Sequence, residues 1–142
     1  MNVRHAISMS ILAAMCMAWL PLAVAAADGT SVVPKSELKW KSLGNGIAAA
    51  QVSGDMDKGP SRFYLKYPVG LVTPNHHHDA DHYATVVSGT ITLTVEGKSH
   101  RLGPGSYFAL TRKAPHVAKG EGKTEAVFFI QADGPWNVVM EK

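Results

Sequence analysis

Residues 70–89 read GLVTPNHHHDADHYATVVSG, and their reading decides the fold. Four of the chain's seven histidines, His76, His77, His78 and His82, fall within seven residues. Clustering alone says little; spacing says more. On an extended backbone His76 and His78 point to one face and His77 to the other, and His82 returns to the first face where strand geometry resumes. His82 to Ser88 is rich in strand-forming residues, and Gly89 turns the chain into Thr90–Glu96. There Ile91, Leu93 and Val95 alternate with Thr90, Thr92 and Thr94, the strongest half-buried strand signal in the chain.

Outward from this stretch the same pattern repeats. Ile47 to Val52 follows a turn at Gly44, Asn45 and Gly46. Ser61 to Tyr67 sets Phe63, Leu65 and Tyr67 on one face against Arg62, Tyr64 and Lys66 on the other. Ser99 to Leu102, Ser106 to Leu110 and Thr124 to Gln131 are further strand candidates, separated by Gly97, by Gly103-Pro104-Gly105 and by a polar stretch. Asp28 to Leu38 is polar and reads as an extended lead-in. No segment keeps helical periodicity over three turns. Eight or more short strands parted by Gly and Pro turns predict an all-β sandwich or barrel.

The opening residues read differently. Arg4 and His5 precede an apolar run from Ile7 to Leu20, and Pro21 to Ala27 ends in small residues, the order of a cleaved export signal. The run is shorter than the ~20 residues of a bilayer span and is broken by Pro21, which argues against a membrane anchor. The expected division is therefore a signal peptide over 1–27, cut after Ala25, Ala26 or Ala27, and one domain over 28–142. Its expected location is periplasmic or secreted, with no membrane association after signal removal. The single cysteine, Cys16, goes with the leader, so neither disulfides nor thiolate ligands are expected in the domain. About 115 residues suffice for one core and not for two. From Asp28 on, thirteen Lys or Arg face eleven Asp or Glu, scattered without a basic run, and no nucleic-acid partner is expected.

Gly70, His76, His78, His82 and Gly89 keep the spacing of the first motif of the cupin superfamily: Gly, five residues, His, one residue, His, three or four residues, Glu, six residues, Gly. The departure is His82, where that family usually has Glu. Of the second motif only Gly105 and His116 match; Thr111, Lys113 and Gly120 replace its Pro, second Gly and Asn. The sequence thus resembles the cupins over Gly70–His116. The resemblance implies a double-stranded β-helix, or jelly-roll barrel, holding one divalent metal through His76, His78, His82 and His116.

Imidazole ligands suit a transition metal (Fe, Ni, Cu, Mn or Zn) and leave positions for water or substrate. Asp79 and Asp81 read as carboxylates orienting a ligating ring or as solvated loop residues, with Asp81 a weaker ligand candidate. His77 and His100 read as outward-facing. Tyr64, Tyr83, Tyr107 and Trp136 are candidates for polar contacts at the barrel mouth. The functional expectation is a metal-dependent small-molecule cupin, a dioxygenase or other oxidoreductase on a small chelating substrate. The alternative is a metal- or ligand-binding module without turnover. A homodimer paired through edge strands is also expected.

Overall fold

The computed structural model describes residues 30–142; the expected signal peptide and its cleavage site lie outside them. The lead-in is extended except for a 3-10 turn at Lys35–Glu37. Eleven strands follow: β1 Lys41–Gly44, β2 Ile47–Gly54, β3 Ser61–Tyr67, β4 His76–His77, β5 His82–Ser88, β6 Thr90–Val95, β7 Lys98–Leu102, β8 Tyr107–Leu110, β9 His116–Glu121, β10 Ala126–Ala132 and β11 Val139–Met140. Asn45 and Gly46, both at positive φ, close the β1–β2 hairpin, the backbone that a tight hairpin demands.

The strands form two antiparallel sheets. One runs β1-β2-β3-β10-β5-β8 and the other β11-β4-β9-β6-β7. Their inner faces share one apolar core, because alternation sends every second side chain inward. Phe63, Leu65 and Tyr67 supply it from β3, Ala84 and Val86 from β5, Ile91 and Leu93 from β6, and Phe128 and Ile130 from β10. The expected register of β6 holds, with Ile91 and Leu93 buried and the three threonines half-exposed; Val95, near the strand end, is only half-buried.

β9 carries no apolar run, because its inward positions are His116, Ala118 and Gly120. Gly120 is required by contact: a Cβ there would lie 2.2 Å from the Pro68 carbonyl oxygen. That loop bonds β9 through Gly70 N–H to the Gly120 carbonyl and Gly120 N–H to the Leu71 carbonyl, each 2.9 Å. Gly89 is required twice over, by φ of +72° and by the Glu125 carbonyl 2.3 Å from any added Cβ.

Candidate metal centre

His76, on β4, pairs directly across the ladder with His116, the first residue of β9. Their ring centroids are 4.3 Å apart. His78 leaves the end of β4 with its ring 5.1 Å from that of His76 and 5.3 Å from that of His116. His82 opens β5 in the opposite sheet, 4.8 Å from the His78 ring and 6.0 Å from His116. All four are buried, none more than 5% exposed. One ligand nitrogen from each of His76, His78 and His116 lies within 4.8 Å of the other two, so these three can hold a metal ion. His82 joins the same wall but stands outside that triad.

Each ring is oriented by a backbone carbonyl. Nδ1 of His76 donates to Pro74 O at 2.8 Å, Nδ1 of His116 to Ala114 O at 2.9 Å, Nδ1 of His82 to Ala80 O at 3.4 Å, and Nδ1 of His78 to Asn137 O. A carbonyl only accepts, so the proton sits on Nδ1 and the lone pair is left on Nε2, the form that ligates. Burial pushes the His78 imidazolium down to about 3 and those of His82 and His116 to about 4, which keeps these rings neutral at ordinary pH.

Asp79 and Asp81 orient none of these rings. Asp79 is clasped by Asn137, whose Oδ1 accepts the Asp79 N–H at 3.0 Å and whose Nδ2 donates to the Asp79 carboxylate. Asp81 accepts the Arg112 N–H at 2.7 Å. His77 is half-buried and pairs with Glu141 at 2.5 Å, while His100 is exposed. Of the four aromatic candidates only Trp136 meets the histidines, stacked on His78 at 3.9 Å and edge-on to His82 at 4.9 Å. Tyr64 packs on Phe129 instead, Tyr83 donates to Asp133, and Tyr107 is 61% exposed.

Asn137 carries no signal in the sequence. It reaches His78 only because β11 pairs with β4, which lays Asp133–Glu141 across the ligand loop as a strap. Two cavities meet at the site. An inner one of about 30 Å³ is bounded by His78, His82, His116, Trp136 and core side chains. A larger chamber of about 260 Å³ reaches His76 and His78 from the β1–β2 side.

Two antiparallel sheets that share one core, with a cluster of buried histidines able to hold a metal ion, define a small β-barrel of the jelly-roll class. Residues 63–131 match the Cupin domain family model. No curated protein sequence matches the chain. Among solved structures it is similar to an RmlC-like cupin from Shewanella frigidimarina NCIMB 400, at 16% identity and TM-score 0.63, covering 75% of this chain and 92% of that one. It is also similar to the polyketide cyclase RemF from Streptomyces resistomycificus, at 18% identity and TM-score 0.65 over 80% of this chain and 87% of that one. A third is the DMSP lyase DddQ from Ruegeria pomeroyi DSS-3, at 20% identity and TM-score 0.61 over 74% and 61%. The chain belongs to the cupin superfamily.

Proposed function

We propose that this chain is an exported, metal-dependent small-molecule cupin that binds one divalent transition metal through His76, His78 and His116, with His82 as a fourth nitrogen. The observation that carries the reading is that all four buried rings spend Nδ1 on a backbone carbonyl, which leaves four Nε2 lone pairs. Four neutral imidazoles favour Fe, Ni, Cu, Mn or Zn over oxygen-seeking Mg or Ca, and they leave the metal its full 2+ charge. When bound, such a metal supplies Lewis acidity and, where it is redox-active, electron transfer to O2. The finer proposal is an oxidoreductase of the dioxygenase type acting on a small chelating substrate. The protein's own contribution is an uncharged, largely apolar pocket in which backbone carbonyls fix the ring positions before substrate arrives.

A second reading, binding without turnover, has one observation in its favour. Among the described residues no carboxylate, lysine or arginine lines the inner cavity, and its only titratable side chains are the histidines and the Tyr67 hydroxyl.

Metal content per chain, measured on protein from its native compartment and after reconstitution, tests the site. One equivalent is expected. His76→Ala, His78→Ala and His116→Ala each lose it, while His77→Ala and His100→Ala retain it. His82→Glu keeps a metal and shifts preference toward Mn and Fe. Loss in His77→Ala with retention in His116→Ala identifies a surface histidine cluster and overturns the reading. Oxygen uptake with a diketone or catechol on Fe-, Cu-, Mn- or Ni-loaded protein then separates oxidoreductase from binding module.

A further inference from the structure

The inner cavity, at about 30 Å³, has room for about one water molecule, so an organic ligand must lie elsewhere. The adjoining chamber of about 260 Å³ is below the size of a drug pocket and fits only a small molecule. Leu43, Ile47, Val138 and Met140 form its walls, with His76 and His78 at its inner end. Three of these apolar residues are unusually open to solvent: Leu43 is 45% exposed, Val138 50% and Met140 57%. Among the described residues no charged side chain lines the chamber.

Tyr67 borders both cavities. The residue is buried, 9% exposed, yet its hydroxyl has no hydrogen bond to any described residue. Among the described residues Ser61 Oγ is the single side-chain polar atom that is both sealed off and unpartnered, so the equally unbonded Tyr67 hydroxyl is not sealed, and its residue lines both cavities. Buried hydroxyls are ordinarily paired, and one held without a partner beside a cavity is available to a guest. Burial raises this phenol to about 12, so it remains a donor throughout the physiological range.

We infer that the chamber is the binding site for a small, largely apolar molecule carrying oxygen acceptors. Its oxygens lie toward the histidines and the Tyr67 hydroxyl, and its apolar body lies against Leu43, Ile47, Val138 and Met140. The assignment rests on the metal-dependent reading above and adds to it a ligand class and a specificity-determining residue. Asn45 and Thr73 are the other polar side chains of the chamber's lining, and with no charge among the lining residues the chamber disfavours multiply charged acids.

Calorimetric titration of Ni²⁺-loaded protein with pentane-2,4-dione and heptane-3,5-dione tests it, since the two share their oxygens and differ in apolar length. Each added CH2 is expected to tighten binding about fourfold. Tyr67→Phe weakens both diketones by roughly three- to tenfold, the worth of one hydrogen bond, with Ni²⁺ affinity unchanged. Val138→Trp fills the chamber from its exposed rim, abolishes the gain from the longer chain, and also keeps Ni²⁺ affinity. That retained affinity reports that both variants fold. Diketone affinities indifferent to both substitutions, on protein that takes up Ni²⁺, overturn the chamber assignment alone. A parent that takes up no Ni²⁺ overturns the metal reading and this one with it.

Discussion

Asn137 makes three bonds at one corner of the site: its carbonyl accepts from His78 Nδ1, and its side chain exchanges two bonds with Asp79. The side chain pins the backbone, and the backbone aims the ring. Removing such a support behind a ligand typically costs 10–100-fold in metal affinity, and Asn137→Ala is expected to fall in about that range. Asn137→Asp is worse, because it sets two carboxylates together. The exchange Asn137→Asp with Asp79→Asn keeps one amide and one carboxylate in the same clasp and restores affinity. Metal dissociation constants across this cycle decide the matter, and a double variant as weak as the single ones removes Asn137 from its positioning role. At this scale the sequence was legible for histidines and not for what holds them. Spacing within 70–89 is local information, whereas the partner of Asp79 lies 58 residues away and is brought there by two-residue strands. The carboxylates beside the histidines drew attention as orienting groups, but backbone carbonyls, which every residue carries, do that work.

Among the elements, β3 and β6 were readable because their inward apolar residues recur with period two, and β5 and β10 because short runs rich in β-branched and aromatic residues end at Gly89 and at Gly134-Pro135. β9 was not, since a histidine, an alanine and a glycine occupy its inward positions and none advertises burial. The broken second motif nevertheless contains a positive-φ turn. Lys113 stands where the family has glycine and still adopts φ of +62°, with its N–H bonded to the His78 carbonyl at 2.7 Å. For β6 the structure makes a direct prediction. Leu93 is 4% exposed within the core, so Leu93→Ala is expected to cost about 2–5 kcal/mol in urea unfolding. Thr92, on the opposite face, is half-exposed, and Thr92→Ala stays within about 1 kcal/mol. Equal losses contradict the register.

For the molecule as a whole, burying neutral histidines makes stability depend on pH. His78, His82 and His116 titrate near 3 to 4 when folded and near 6.5 when free, so between those values the unfolded chain binds more protons. Their contribution is complete above about pH 6.5 and is lost progressively as pH falls through the folded values. The melting temperature of metal-free protein is expected to decline from pH 6.5 toward 4, with a shallower slope in His116→Gln; a flat profile refutes this. The all-β architecture and the end of the sandwich that carries the site follow from strand patterning and motif spacing. The size of the inner cavity does not, because it is what remains after Trp136 and the strap have packed, and no local pattern encodes a remainder. Trp136 has one more consequence. Trp40 lies on the outer face of the six-stranded sheet beneath the Lys66 ammonium, 4.1 Å from its ring, while Trp136 lies against the His78 imidazole inside. The domain thus carries two emitters on opposite sides of one wall: a quenching ion seated among the histidines would dim the inner indole and leave the outer one alight.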